Sequence, residues 1–422
     1  MRVMIVGGGG REHAIAWKVR QSPLVDELFC VPGNAGTEAI ARNLPEDAAN
    51  IQGIVSLAQE HRIDLTIIGP EAPLAMGLSD ALQSEGLTVF GPTKEAAAIE
   101  SSKVFAKQFM ADCGIPTPSY WVFDDFRNAI SFVDEKGLPV VIKADGLAAG
   151  KGAFVCRTED DVDEALRNTL VEERLGDAGK SILVEACLVG QEASVVVITD
   201  GETVLPLPCS EDHKQLLDGD RGPNTGGMGA FSPTEVIDDA LRDRVMREIM
   251  LPAIRGLKSR GILYRGALYA GLMIVDGDPY VLEFNCRFGD PETQATLPRV
   301  KGDLVPVLMA AADGSLEGIS IDVADSHCVC VTLASKGYPG RYEKGREIHG
   351  LSECERLDNV VVFHAGTKTT DGRALTAGGR VLGVTATGAT KKDALQRVYD
   401  AVDRIDFQGK YFRRDIAMRR GR

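Results

Sequence analysis

Over its first hundred residues the chain alternates short apolar runs with helical patterns. Val3–Val6, Leu28–Val31, Leu65–Ile68 and Thr88–Phe90 are the runs, and each leads into glycine or proline. Strand, turn and helix repeated at this interval predict a parallel, doubly wound sheet with ligand loops at the carboxyl ends of its strands. Ser102 is a candidate N-cap for a helix that reaches Cys113 and ends at Gly114. A small αβ unit follows, built on VVIKAD (140–145) and KSILVEACL (180–188). Next come EASVVVITD, a long loop from Ser210 to Ser232, and a helix near Asp238–Arg260. Two apolar runs joined at Asp276-Gly277-Asp278 then predict a hairpin. From about residue 325 strands dominate, up to a helix over 391–399, and the basic end YFRRDIAMRRGR reads as a solvated tail.

Composition narrows the possible partners. The chain has 422 residues, enough for several domains. Its 47 Lys and Arg against 61 Asp and Glu give a net charge of −14, which argues against nucleic acid or an anionic membrane as a partner. No apolar run approaches the ~18 residues of a membrane span. The nine cysteines are scattered without a C-x-x-C pair, as expected for reduced thiols in a cytoplasmic protein. Cys328 and Cys330 fit one face of a strand better than a zinc knuckle. Glycine is the outlier. There are 46 glycines but only 19 prolines, about 11% glycine against a usual level of about 7%.

The glycines cluster at candidate chemistry. Gly7–Gly10 follow the first strand and open the first helix, where bare N–H groups can cradle an anion. The G-x-G-x-x-G register fails, since Glu12 or His13 falls where the third glycine belongs, and no acidic residue follows the second strand to hold a ribose. A phosphate monoester suits this loop better than a dinucleotide. Gly146-x₃-Gly150-Lys151-Gly152 is one residue short of a P-loop and lacks its Ser/Thr, so it reads as a strand–loop–strand flap over phosphates. Lys143 lies in an apolar strand and needs a partner charge, which a nucleotide phosphate would supply. In Tyr280–Glu292, alternation places Glu283 and Asn285 on one face, with Arg287 beside them if the strand persists. Their hard oxygens suit magnesium, and the guanidinium suits a transferring phosphoryl group. No Gly-x-Ser-x-Gly or His-Glu-x-x-His occurs, so hydrolase readings lack a nucleophile or a metal.

Taken together and in order, GGGGREHA (7–14), PGNAGT (32–37), GPEAPL (69–74), IKADGLAAGKG (142–152), DHK (212–214), GPNTGGMGAFSP (222–233) and EFNCRFGDPETQ (283–294) resemble the glycinamide ribonucleotide synthetase family, ATP-grasp enzymes of purine synthesis. The resemblance implies an α/β multidomain protein. A Rossmann-like N-terminal domain (1–100) carries the phosphoribosylamine side. An ATP-grasp region (101–324) follows, with a flap-bearing subdomain at about 118–188, and then a small, mainly β C-terminal domain (325–422).

The resemblance also implies residue roles. Lys103 and Lys143 are the paired ATP-phosphate lysines, with Lys143 also catalytic. Gly146, Ala149, Gly150, Lys151 and Gly152 form a mobile flap; Glu185 and Leu188 hold the adenine, and Glu192 the ribose hydroxyls. Glu283 and Asn285 are the ligands of Mg²⁺ (or Mn²⁺), while Arg287 and Asp290 face the reacting glycine and phosphate. Gly9, Glu12 and Asn34 hold phosphoribosylamine, and Asp212 and Lys214 also bind substrate. One departure stands at the adenine hinge, where Ala186 and Cys187 replace the family's usual acidic residue and aromatic after Glu185.

The implied reaction joins glycine to 5-phosphoribosylamine at the expense of ATP, through glycyl phosphate, in a cytoplasmic monomer whose partners are small molecules. Another ATP-grasp carboxylate–amine ligase is the alternative within the fold. An NAD-dependent oxidoreductase lacks its glycine and acidic ribose ligand. A regulatory nucleotide-binding protein would be expected to lose Glu283, Asn285 or Arg287, and all three are present. On this reading the glycines lie where a phosphate approaches or a flap moves.

Overall fold

The structure, a computed structural model, describes residues 1–148, 152–172 and 179–418. Ala149, Gly150 and Lys151 of the expected flap lie outside them. The first unit is a five-stranded parallel sheet in the order Arg42–Asn43, Glu27–Pro32, Arg2–Gly7, Leu65–Ile68, Val89–Phe90. The four predicted runs are all strands, and the two-residue strand Arg42–Asn43 is additional. Both faces are covered: Met4 and Val6 enter one apolar core, Val3 and Ile5 the other. That is why these strands read as continuous apolar runs rather than alternating ones. Their carboxyl ends deliver Gly8-Gly9, Gly33-Asn34 and Gly69-Pro70-Glu71 to one rim.

Helix Lys103–Asp112 then leads into the central region. Ser102 Oγ accepts from Phe105 N at its start, and Gly114, with φ +67°, follows its C-cap Cys113. The predicted boundaries are therefore right, and for the predicted reasons. A four-stranded antiparallel sheet orders Tyr120–Phe123, Ile182–Ala186, Val140–Ala144, Ala153–Cys156. Lys143 pairs with Ala153 across the expected strand–loop–strand, and Ala144 N donates to Gly152 O at 2.8 Å. A second antiparallel sheet orders Val204–Pro206, Gln191–Thr199, Gly266–Val275, Asp278–Asn285. Its hairpin turns at Asp276 (φ +51°) and Gly277 (φ +86°), the two positive-φ positions a two-residue turn of this hand requires.

Two expectations are corrected here. The segment from Ser210 to Ser232 is not one long loop: it contains strands Glu211–Asp212, Gln215–Leu217, Arg221–Asn224 and Gly229–Ser232. The first and last join the C-terminal sheet, whose remaining strands are His327–Ser335, Arg380–Gly388, Val360–His364 and Lys410–Tyr411. One sheet therefore straddles residue 325. The basic end is not a free tail up to residue 418. Arg413 is fully buried, pairing with Asp220 at 2.9 Å and Asp415 at 2.7 Å and donating to Gln215 O. It ties the chain end to the 215–220 turn. Helix Lys391–Arg404 covers this sheet, so the predicted helix extends to Arg404.

All nine cysteines are free. Cys328 and Cys330 stand two apart on strand His327–Ser335, as expected. Among the described residues no helix is long and apolar enough to cross a membrane.

Candidate active site

Strand Asp278–Asn285 organises the site. Its pairing register slips opposite Gly271 and Leu272, so alternation breaks at Leu282 and resumes from Glu283. Phe284 and Cys286 then enter the core, while Glu283, Asn285 and Arg287 stay partly open on the opposite side. Lys143 donates to the Leu282 carbonyl at 2.9 Å.

The partner charge of Lys143 is a correction. It is the carboxylate of Glu185, at 3.0 Å, rather than a phosphate. Glu185 Oε2 also pairs with Lys107 at 3.3 Å, and the three side chains are nearly sealed from solvent. Lys107 donates to Thr117 Oγ1 at 2.6 Å, and Thr117 in turn donates to Val281 O. Burial lowers the Lys107 ammonium to about 8, with Glu185 acting against that shift. Glu185 Oε1 has no hydrogen-bond partner among the described residues and is fully enclosed. The side chain expected at the adenine hinge thus points inward to two lysines. Leu188 is half-buried in the link between the two central sheets, next to the exposed Val189. Lys103 donates to the Gly146 carbonyl at 2.8 Å, and burial lowers its pKa. Asp145 accepts from Ser102 Oγ and Val104 N, fixing the start of the Lys103 helix against the flap's first residue.

Arg287 is more committed than its motif suggests. It reaches Glu71 at 3.2 Å, Glu100 at 2.9 Å, Asn285 Oδ1 at 3.3 Å and the Phe288 carbonyl at 3.1 Å. Burial disfavours its charge, but Glu100 and Glu71 more than restore it and raise its pKa. Burial would raise Glu71 as well; Arg287 and Arg11 instead hold it down at about 2. Glu100 is raised, because burial there outweighs Arg287. Glu71 comes from the GPEAPL turn and Glu100 from helix Lys94–Ser101, so the guanidinium joins the N-terminal rim to the end of strand Asp278–Asn285.

The loops expected to hold phosphoribosylamine are packed on themselves. Glu12 is 2% exposed, and its oxygens accept from Gly9 N at 2.6 Å and Arg11 Nε at 2.5 Å. Asn34 is 5% exposed; its amide donates to Gly8 O and His364 O and accepts from Gly36 N and Thr37 N. These side chains therefore shape the loop rather than present free ligand groups. The glycines there answer to protein neighbours too. A Cβ on Gly8 would lie 2.5 Å from the Gly33 carbonyl, and one on Gly10 2.6 Å from Gln294 Nε2. The expectation that phosphate approach alone explains their bareness is corrected accordingly.

Asp290 accepts from Gln294 at 2.8 Å and pairs with Arg380 at 3.3 Å. Arg380 Nη1 also donates to the carbonyls of Asp290 and Gly226, so the C-terminal sheet pins both motifs. Lys214 pairs with Glu192 at 3.4 Å and Glu283 at 3.8 Å, gathering Glu192, Asp212 and Glu283 into one acidic pocket.

Several functional side chains escaped sequence reasoning. Lys107 carried a faint signal, four residues after Lys103 and so on the same helical face. Arg11, Glu71 and Glu292 lay within quoted motifs without a role. Glu100 and Arg380 carried none.

A divalent cation is a fair occupant for Glu283 and Asn285. Both are hard oxygen donors on one strand face. Lys214, Lys143 and Lys103 hold Glu283 ionised at about 2 against the burial that would raise it. Its nearest charged partner is no closer than 3.8 Å, which leaves lone pairs available. Among the described residues no group of three His, Cys, Asp or Glu is placed to hold a metal alone, so other oxygens, such as those of a nucleotide, would have to complete the coordination shell.

Three sequence profiles match the chain in order: the phosphoribosylglycinamide synthetase N domain over residues 1–100, its ATP-grasp (A) domain over 101–293 and its C domain over 328–419. The phosphoribosylamine–glycine ligase of Salmonella typhimurium is 49% identical over 423 residues, spanning 99% of this chain and 98% of that protein. That of Yersinia pestis is 48% identical and spans 99% of each. The crystal structure of phosphoribosylamine–glycine ligase from Thermotoga maritima superposes with a TM-score of 0.86 at 34% identity, covering 99% of this chain and 100% of that one. A biotin carboxylase from Campylobacter jejuni, 18% identical with a TM-score of 0.74 over 97% and 92% of the two chains, shares the fold alone. With its three-domain architecture, its ATP-grasp fold and these relatives, the chain belongs to the phosphoribosylglycinamide synthetase family.

Proposed function

We propose that this chain joins glycine to phosphoribosylamine with ATP at the end of strand Asp278–Asn285, giving glycinamide ribonucleotide, ADP and phosphate in purine biosynthesis. One observation carries the placement of the chemistry: Glu283, Asn285 and Arg287 share one partly open face, with Lys143 held against the same strand.

A carboxylate does not condense with an amine at neutral pH, so it must first be activated. The glycine carboxylate attacks the γ-phosphorus of ATP, the bond to the β–γ bridging oxygen breaks, and glycyl phosphate and ADP form. The amine of phosphoribosylamine then attacks the acyl carbon, phosphate leaves with the bonding pair, and the amine loses a proton. Arg287 faces charge developing on the transferred phosphoryl group, while Lys103 and Lys143 offset charge on the phosphates that stay behind. Glu283 and Asn285 would hold a divalent cation, Mg²⁺ or Mn²⁺, which neutralises phosphate charge when bound. Leu188 and the hinge backbone bound the adenine, and Glu192 the ribose. The rim at Gly9 and Asn34, with Asp290 beside it, receives phosphoribosylamine in a shape that Glu12 and Asn34 set. No covalent enzyme intermediate is required.

ADP release measured with glycine and phosphoribosylamine, separately and together, tests the reading. At saturating magnesium, ADP is expected in quantity only with both, and none with both present would sink it. Glu283→Gln is expected to raise the Mg²⁺ concentration for half-maximal rate more than tenfold, read from a metal titration at fixed ATP; an unchanged midpoint would remove Glu283 from the cation site.

A further inference from the structure

The middle residue of the DHK motif turns away from the pocket that its neighbours line. Side chains alternate along extended backbone. Lys214 stands against Glu192 and Glu283, and Asp212 lies close enough to feel the same charges. Between them, the His213 ring points the other way, beside Phe231, and is 4% exposed. Its Nε2 accepts from Ala417 N at 3.1 Å. A ring nitrogen that accepts carries no proton, so the N–H of this imidazole is at Nδ1. Nδ1 is fully enclosed, 3.6 Å from Asp220 Oδ1.

Asp220 belongs to a close tie between two distant segments. It pairs with Arg413, and Arg413 with Asp415. Gly219 N donates to Asp415 Oδ2, and Arg414 N to Asp218 Oδ1. Ile416 and Ala417 are buried in the core beneath helix Lys391–Arg404. His213 thus joins the DHK segment to the most firmly packed part of the chain's end. The backbone of the same segment is held from the other direction: His213 N donates to Gly229 O, His213 O accepts from Met228 N, and Lys214 O accepts from Thr225. Backbone bonds along one edge fix where the segment lies, and a side-chain anchor on the far face fixes how it is turned. The turn matters because Lys214 Nζ is 3.4 Å from Glu192 and 3.8 Å from Glu283, so a small rotation moves it away from both.

We infer that His213 is a positioning residue: held by Ala417 N and Asp220, it aims Lys214 at Glu192 and Glu283, and the C-terminal end of the chain becomes the back support of the nucleotide site. The inference rests on the ligase reading above, in which Glu192 meets the ribose and Glu283 the cation.

Steady-state kinetics of the full chain test it, at saturating Mg²⁺, glycine and phosphoribosylamine. Glutamine can place its oxygen near the position of Nε2, asparagine reaches only as far as Nδ1, and phenylalanine keeps the ring without an acceptor. His213→Gln is expected to hold KM for ATP within about threefold of wild type, because it still accepts from Ala417 N. His213→Asn and His213→Phe are each expected to raise it about tenfold, with KM for glycine moving less than about threefold. A role in packing alone predicts the opposite ranking, with Phe the mildest change, and that ranking overturns the inference. A KM for ATP within about twofold of wild type in all three variants overturns it too. Should His213→Phe fail to fold in a thermal melt, the comparison of Gln with Asn carries the same test. The route through Lys214 is checked separately. In a Lys214→Met background, His213→Asn is expected to raise KM for ATP less than about twofold, since the side chain it aims is gone; the full tenfold effect there overturns the route. A wild type that releases no ADP with glycine and phosphoribosylamine instead overturns the ligase reading itself, so the two failures are distinct.

Discussion

Arg287→Ala is expected to lower kcat by a hundredfold to a thousandfold, about the effect of removing one well-placed donor to a developing oxyanion, with KM for ATP changed only a few fold. Phosphoryl transfer depends on positioned positive charge, and this guanidinium is held in place by four acceptors from three segments of chain. The same commitment predicts a second effect. Removing the arginine leaves the buried Glu100 without its main counter-charge, beside a Glu71 that is a quarter exposed and still near Arg11, a loss of about 3 kcal/mol for an uncompensated buried charge. A thermal melt of Arg287→Ala should therefore fall, and Arg287→Ala/Glu100→Gln should recover stability without recovering turnover. Arg287→Lys keeps the charge but not the fork, so it should fold well and stay slow. Near-normal turnover in Arg287→Ala would refute the role given to this residue.

Glu185→Ala is the other large effect expected. This carboxylate stands between Lys107 and Lys143 with all three side chains buried. Its removal leaves two ammonium groups facing one another in low dielectric, a loss of about 3–5 kcal/mol. Lys143 loses the contact that aims it, so KM for ATP should rise at least tenfold in the same variant. Lys107→Met/Glu185→Gln removes one charge of each sign and should melt well above Glu185→Ala, while its KM for ATP stays high because Lys143 remains unaimed. Equal melting temperatures for wild type and Glu185→Ala would show that the trio carries no stability.

How far the sequence revealed this site follows a physical line. Features written in local spacing were legible: the four parallel strands, the helix capped by Ser102 and released at Gly114, the turn at Asp276-Gly277, and Glu283 and Asn285 on one face. Features set by distant partners were not. Nothing near Arg287 announces Glu71 and Glu100, which lie 216 and 187 positions away in the chain. The apolar setting of Lys143 did show that a counter-charge was needed, and the error lay in looking for it in the ligand when Glu185 already supplied it. Gly8 and Gly10 were noticed for their bareness. Their crowding by Gly33 and Gln294 belongs to packing, which glycine content cannot report. The 211–232 segment looked like a loop because its strands are short: two pair locally as a ribbon, Gln215–Leu217 with Arg221–Asn224, and the other two reach the C-terminal sheet only where Gly229–Ser232 meets His327–Ser335, about a hundred positions later.

That pairing bears on modularity. Gly229–Ser232 lies beside His327–Ser335 along four residue pairs, and Arg413 holds the chain end to the 215–220 turn. A chain divided near residue 325 would leave a bare strand edge on each piece, with unmatched N–H and C=O groups ready to pair with a neighbouring molecule. Recombination that exchanges the C-terminal part between relatives would have to carry the 211–232 segment with it. The heritable unit is therefore a discontinuous one, and a boundary drawn along the chain does not coincide with the boundary along which the protein can be taken apart.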